Sequence, residues 1–174
     1  MINSREPIIE SGMEFVIQRG DNSLFYLEKS QIYKEIQEGV KMAEFLLLRP
    51  ESPYKIWIIE AKFSSPHPGT QPNFNKFIQE ITEKFANALT LFIANYLKRH
   101  QNYDELSKEL QDYPLHDVKF AFVLIIKKCD KPWLIPLQEA LQKSLRPLLK
   151  TWGQSSKVIV LNEIMARERY KLIS

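Results

Sequence analysis

The chain has a single cysteine, Cys129, among its 174 residues, so it holds neither an internal disulfide framework nor a CxxC metal site. Such sparing use of cysteine is typical of a reducing, intracellular setting. No unbroken apolar run approaches the roughly 18 residues that a membrane span requires. Residues 1–7 also lack the charged-then-apolar layout of a signal peptide. The sequence therefore predicts a cytoplasmic protein with no membrane partner.

Glycine is scarce as well: five glycines accompany ten prolines, and neither residue gathers into runs or repeats. This excludes collagen-like and low-complexity chains. The three histidines lie far apart in polar segments, and their spacing fits no zinc site. With 44% hydrophobic residues, the chain is too apolar for a disordered protein. We expect a single domain over residues 1–174, since this length suits one hydrophobic core.

A net charge of +3 conceals an uneven distribution of charge along the chain. Residues 1–117 hold 13 Lys and Arg against 17 Asp and Glu, whereas residues 118–174 hold 11 against 4. A basic segment of this kind is typical of a protein that contacts a polyanion. No helix-turn-helix, zinc-finger or RNA-binding signature accompanies it, so specific readout of a nucleotide sequence is not predicted.

Hydrophobic periodicity predicts the order of strands and helices. Residues 14–18 and 24–27 flank a turn that contains Gly20, and we predict that they pair as a hairpin. A second predicted hairpin pairs residues 42–48 with 55–63, and both of its strands are apolar on both faces, as in the middle of a covered sheet. The other predicted elements are a helix over 31–38 capped by Ser30, a long helix over 74–100, a strand over 118–126, a helix over 133–152 kinked at Pro147, a strand over 157–161 and a last helix capped by Asn162. This order predicts a three-layer α/β domain, with a mixed central sheet flanked by helices.

Three charged residues interrupt the second predicted hairpin. Glu44 lies in its first strand, and Glu60 and Lys62 share one face of its second strand because side chains alternate along a strand. If the turn is centred on Ser52, paired residue numbers sum to 104, and Glu44 lies opposite Glu60. Opposed carboxylates roughly 5 Å apart repel each other. A divalent cation would compensate them, and magnesium or manganese suits hard oxygen ligands that leave positions open for water and phosphate.

An acidic residue on one strand, a short turn and Glu-x-Lys on the next strand resemble the PD-(D/E)xK nuclease superfamily. Glu44 stands in place of the usual Asp, Ala43 in place of the usual Pro, and Glu60-Ala61-Lys62 matches the second half of the motif. The long helix, strand and helix that follow are similar too. The resemblance implies a restriction-endonuclease-like core in which Glu44 and Glu60 ligate one or two magnesium or manganese ions. It also implies that Lys62 orients or polarises the water that hydrolyses a phosphodiester bond.

Five further residues are candidates for this site. The helix before the hairpin often supplies another acid in this superfamily, and Glu35 or Glu38 has that position, although a solvated helix face explains both equally well. The long helix carries Gln79, Glu80 and Lys84 beside its apolar stripe. Glu80 and Lys84 are either site residues or an i,i+4 surface pair.

Three residues near the ends of predicted strands are candidates for contact with phosphate: Ser64, Lys127 and Lys128. Other basic residues of the C-terminal part either follow a phosphate backbone or form a solvated surface. They are Lys131, Lys143, Arg146, Lys150, Arg167, Arg169 and Lys171.

The hypothesis that these observations favour is a metal-dependent nuclease, acting on DNA in preference to RNA, in defence or repair. Its expected partner is nucleic acid, and the chain acts as a homodimer or as a subunit of a larger complex. One alternative is a catalytically inactive nuclease-fold subunit that binds nucleic acid or protein. Another is a hydrolase that uses Glu44 and Glu60 as a carboxylate pair, as glycosidases do; the adjacent Lys62 argues against it.

Overall fold

A computed structural model describes residues 6–18, 21–153 and 156–174. Seven strands and five helices lie in these ranges. They are β1 (Pro7–Glu10), β2 (Met13–Gln18), β3 (Leu24–Phe25), α1 (Gln31–Ile36), β4 (Phe45–Leu48), β5 (Ile56–Ser64), α2 (Asn73–Tyr96), α3 (Lys108–Gln111), β6 (Phe120–Lys128), α4 (Leu134–Thr151), β7 (Lys157–Asn162) and α5 (Glu163–Glu168). Single 3₁₀ turns cover Tyr103–Glu105 and Lys131–Trp133.

Five strands form the central sheet, in the order β3-β4-β5-β6-β7. The pairs β3–β4 and β4–β5 are antiparallel, whereas β5–β6 and β6–β7 are parallel. The strands β5 and β6 lie in its middle and are the longest, because their sequences are apolar on both faces and can be covered from both sides. The predicted α/β class and mixed sheet are confirmed.

One face of the sheet is covered by α2 and α4. The apolar stripe of α2 packs on this face through residues such as Ile81 and Phe85, and the Phe85 ring meets the Phe122 ring edge-on at 5.6 Å. The stripe recurs at helical spacing, so the long helix was predictable. The helix α2 begins at Asn73, close to the predicted start. It ends at Tyr96, before the predicted end at residue 100, and Lys98 just beyond it has a left-handed φ of 55°. The helix α4 continues through Pro147.

The other face is covered by the β1–β2 hairpin, by α5 and by the C-terminal residues. Phe15 of β2 meets Phe45 of β4 edge-on at 4.9 Å, and Ile173 forms an antiparallel bridge with Phe15. Leu172 and Ile173 are both buried in this second cluster. Strand side chains alternate, so every second residue of β5 points into this layer while its neighbours point toward α2.

The prediction that residues 14–18 pair with residues 24–27 is wrong. The strand β2 pairs with β1 instead, and the short β3 joins the edge of the main sheet beside β4. The turn between β1 and β2 consists of Ser11 and Gly12, whose φ values are 49° and 74°; such a two-residue turn matches the twist of a hairpin. The predicted turn residue Gly20 lies outside the described residues.

The second hairpin has the predicted register: Phe45 pairs with Ile59 and Leu48 with Ile56. The predicted caps of the short helices are also present. The backbone N–H of Tyr33 donates to the Ser30 hydroxyl at 3.1 Å, although α1 ends at Ile36 instead of residue 38. Asn162 caps α5 in the same way. Within the described ranges, no helix combines the length and apolar content that crossing a membrane requires.

Candidate active site

The hairpin of β4 and β5 brings Glu44 close to Glu60, although Glu44 lies just before β4 and not within the strand as predicted. Glu44 immediately precedes β4, and its N–H donates at 3.1 Å to the carbonyl of Ile59, the residue that pairs with Phe45. The regular pairing therefore ends at Phe45 and Ile59, and Glu44 lies near enough to Glu60 for the two charges to interact. The apolar residues around both acids drive the strands into the covered middle of the sheet. Both acids are therefore buried: Glu44 is 6% exposed and Glu60 0%.

Two lysines meet Glu60 on the face of the sheet that α2 covers. Lys62 of the same strand lies 3.4 Å from Glu60 Oε1 through its Nζ, and Lys84 of α2 lies 2.7 Å from the same oxygen. Lys62 Nζ also contacts Oε1 of Glu80, one helical turn before Lys84, at 2.8 Å. The structure thus brings Glu80 and Lys84 to the strand residues instead of leaving them as an isolated surface pair. Gln79 is exposed on the neighbouring side of α2.

Two acids that sequence reasoning missed, Glu10 and Glu28, join Glu44. One carboxylate oxygen from each of these three residues lies within 4.8 Å of the others. Glu10 ends β1, and its carboxylate accepts a hydrogen bond from the Tyr26 hydroxyl. Glu28 lies in the turn before α1, where its N–H donates to the Glu44 carbonyl at 3.2 Å. We call these three residues, together with Glu60, whose charge acts on Glu44, the acid cluster; the distance of 4.8 Å applies to Glu10, Glu28 and Glu44 alone.

The two acids that were predicted around α1 lie elsewhere. Glu35 is exposed, and its carboxylate accepts a hydrogen bond from Asn102 Nδ2 at 2.9 Å. Glu38 is exposed beyond the end of α1. No described contact links either of them to the acid cluster. The acid near this helix that joins Glu44 is Glu28, which precedes α1 instead of lying on it.

The predicted phosphate contacts lie at the end of β5 and β6. Ser64 is exposed and pairs in register with Lys128, on the sheet face that carries Glu60. The Lys128 ammonium lies 4.8 Å from the ring centre of Phe63, and Lys127 donates to the Gly12 carbonyl at 2.6 Å. Neither lysine forms an ion pair with the acid cluster within the part of the chain that the structure describes. They border the site at one end of the sheet.

Burial controls the protonation of the acid cluster. It raises the pKa of Glu44 from 4.5 to about 9, helped by a hydrogen bond with Glu28 and by the negative charge of Glu60. Burial also raises the pKa of Glu60, against the opposing effect of Lys84 and Lys62. The hydrogen bond from Lys62 lowers the pKa of Glu80. Burial lowers the pKa of Lys84, but the combined effects of Glu60, Glu44 and Glu28 outweigh it, so the pKa of this ammonium is raised. Burial therefore favours the protonated form of Glu44.

Glu10, Glu28 and Glu44 offer carboxylate oxygens that lie close enough together to hold a cation. The Oε2 atoms of Glu44 and Glu60 are buried, and neither makes a hydrogen bond within residues 6–18, 21–153 and 156–174. A buried acceptor without a partner costs about 1–3 kcal/mol. Carboxylate oxygens that converge from several segments are the ligands that magnesium and manganese prefer. The set of Glu10, Glu28 and Glu44 therefore could hold a divalent cation.

The ion pair between Lys84 and Glu60 makes a testable contribution to stability. In Lys84→Ala, Glu60 keeps only Lys62 as a cationic partner, so we expect the free energy of unfolding to fall by about 2 kcal/mol. Glu80→Ala is the matched control: the Glu80 side chain is 37% exposed, and its loss should cost about 1 kcal/mol or less. Urea unfolding in EDTA measures both. Equal losses in the two variants would contradict the special role of the buried pair.

Comparison of the chain with protein-family models, with curated proteins and with solved structures finds no match. The assignment of a function therefore depends on the geometry of the chain's own residues.

Proposed function

We propose that the protein is a metal-dependent nuclease of the PD-(D/E)xK type, with a restriction-endonuclease-like core, that hydrolyses phosphodiester bonds of DNA. One observation carries this proposal. Glu44 and Glu60 are buried close to each other, each has a carboxylate oxygen that makes no hydrogen bond within the described residues, and Lys62 lies beside Glu60. A metal site next to a fixed ammonium is suited to a reaction in which negative charge increases on phosphate oxygens.

Each residue of the site has a distinct role in this proposal. Glu44 and Glu60 would hold magnesium or manganese, and Glu10 and Glu28 extend the set of oxygen ligands. The bound ion would lower the pKa of a coordinated water and neutralise charge on the phosphate. Lys62 lies 3.4 Å from Glu60, so its ammonium can donate a hydrogen bond to the attacking water or to a phosphate oxygen beside the ion.

Glu80 and Lys84 act as positioning residues. Glu80 accepts a hydrogen bond from Lys62 at 2.8 Å and limits the rotamers of the lysine side chain. Lys84 contacts Oε1 of Glu60 at 2.7 Å and so limits the orientations that this carboxylate can adopt. Both residues come from one helix, so a rigid element holds them in register with the strand.

A second candidate function is a nuclease-fold module that binds nucleic acid without turnover. The observation that favours it is the double neutralisation of Glu60: two ammonium groups already contact its Oε1 atom. In this alternative, the lysines provide the positive charge that an ion would otherwise supply. Binding would then be independent of divalent metal. A carboxylate-pair hydrolase would likewise work without the ion, so metal dependence separates the candidates.

The test is a cleavage assay on plasmid, linear duplex and single-stranded DNA, and on RNA, in magnesium, in manganese and in EDTA. We expect cleavage of DNA in at least one of the two metals and none in EDTA. Nucleic acid that is bound equally well in metal and in EDTA, without cleavage of any substrate, would reject the nuclease in favour of the binding module. Cleavage that persists in EDTA would contradict the role of the acid cluster.

A further inference from the structure

A pocket lies at the end of the sheet where β5 and β7 begin, away from the acid cluster. It is a cavity of about 360 Å³, with three aromatic residues in its wall: Tyr54, Trp57 and Tyr170. Trp57 precedes Glu60 by three positions on β5, so these two side chains point to opposite faces of the sheet. The pocket therefore lies on the face that the C-terminal residues cover and is separate from the proposed nuclease site.

Four cations line the same pocket: Arg49, Lys157, Arg169 and Lys171. The acidic residue among its lining residues, Glu51, is 70% exposed and pairs with Arg49 at 3.4 Å. The wall thus has a surplus of positive charge. Exposed lysines alone would form only a diffuse surface charge, so the organisation of these cations is what matters.

Three of the four cations lie over aromatic rings. The Arg49 guanidinium lies 4.6 Å from the ring centre of Trp57, and Lys157 lies 6.0 Å from that of Tyr54. Arg169 lies 5.6 Å from the ring centre of Tyr170. Arg49 also donates to the Tyr170 carbonyl at 3.4 Å, and its side chain is only 24% exposed. These contacts limit the freedom of the cations before any ligand arrives, which lowers the entropy that binding would cost.

Planar surfaces and fixed cations in one cavity are the chemistry that recognises an aromatic ring carrying a phosphate. Nucleobases stack on tyrosine rings and on guanidinium planes. Arginine and lysine form charge-assisted hydrogen bonds with phosphate oxygens. A volume of about 360 Å³ falls within the usual range of small-ligand pockets. We propose that this pocket binds a nucleoside phosphate.

Lys171 provides a test that separates ligand binding from stability, because its side chain supplies a cation whereas its backbone adopts a conformation that suits glycine. It follows α5 with a φ of 54°, a left-handed conformation that favours glycine. Lys171→Gly removes the cation but relieves the backbone. The variant should therefore bind a nucleotide at least about threefold more weakly while its Tm stays unchanged or rises by a few degrees. A lysine without a ligand role would show the rise in Tm and no change in binding.

The experiment is titration calorimetry in EDTA with adenosine and guanosine 5′-monophosphates, the two nucleosides, inorganic phosphate and a 5′-phosphorylated tetranucleotide. The monophosphates should bind at least about tenfold more tightly than nucleoside or phosphate alone, since both parts of the ligand contribute. Tighter binding of the tetranucleotide would identify the end of a strand as the natural ligand. Tighter binding of the monophosphates would identify a free nucleotide.

Matched variants locate the binding. Arg169→Ala combined with Lys171→Gly should weaken nucleotide binding at least tenfold, whereas Lys143→Ala, an exposed change on α4 across the sheet, should not alter it. Glu60→Gln should also leave it unchanged, so this result is independent of the proposed nuclease function. Three outcomes would overturn the proposal: no nucleotide binds, phosphate alone binds as tightly as nucleotide, or the double variant binds like the parent.

Discussion

Glu60→Gln is expected to lower the rate of metal-dependent DNA cleavage by roughly 10²- to 10³-fold, because the neutral amide cannot hold the ion against competition from water. The substitution preserves the shape of a side chain that is 0% exposed, and Lys62 retains its contact with Glu80 at 2.8 Å. The fold should therefore survive the loss of activity. Single-turnover cleavage of a labelled duplex at saturating magnesium or manganese measures the effect.

Two further variants make this result specific to the site. Lys62→Ala should lose activity to a similar degree, since it removes the ammonium beside the reacting phosphate. Glu83→Gln is the matched control, because this acid also lies on α2 but is 46% exposed and pairs with Lys41 at 3.1 Å. Its rate should equal that of the parent. Unchanged cleavage by Glu60→Gln would contradict the proposed site.

Glu44→Gln is expected to stabilise the metal-free protein while it abolishes cleavage. Burial raises the pKa of Glu44 to about 9, so the folded protein retains a proton that the unfolded chain releases near 4.5. The folded state binds more protons between these two values, and stability therefore falls as the pH rises through this window. Between about pH 5 and pH 8, the parent should lose on the order of 3 kcal/mol from this group.

Urea unfolding in EDTA across this pH range provides the measurement. The glutamine variant should show a flatter profile and should exceed the parent in stability by a similar amount at about pH 8. Magnesium or manganese should narrow that gap, because an ion bound to the folded parent displaces the proton and stabilises the fold. A parent whose stability does not fall over this range would show that Glu44 is not a buried, protonated acid.

The central part of the site followed from the sequence because its hairpin is symmetric and apolar. A turn centred on Ser52 predicts the observed pairing of Phe45 with Ile59 and of Leu48 with Ile56, and this pairing brings Glu44 near Glu60. Strand alternation then placed Lys62 beside Glu60. The long helix was equally clear, although its spacing alone did not decide whether Glu80 and Lys84 face the strand or the solvent.

The rest of the acid cluster was not predictable, because it depends on pairing between distant segments. The strand β1 was missed: Gly12 alone signals its turn, whereas Ser11 adopts a positive φ without a residue type that demands it. Glu10 was lost with that strand. Glu28 lies in a turn, where hydrophobic periodicity gives no signal. The prediction of an acid from the following helix therefore named Glu35 and Glu38 instead.

The last residues of the chain lie between the two proposed sites, because they line the nucleotide pocket and run beside the hairpin that carries Glu10. Tyr170 and Lys171 line the nucleotide pocket, and the three residues that follow them run beside β2: the N–H of Val16 donates to the Leu172 carbonyl at 3.1 Å, and the N–H of Ser174 donates to the Glu14 carbonyl at 2.9 Å. That strand belongs to the hairpin that delivers Glu10 to the acid cluster. A ligand that moved these residues would also displace β2. If this displacement changed the affinity for a cation at the acid cluster, reciprocity would require the cation to change the affinity for that ligand by the same factor.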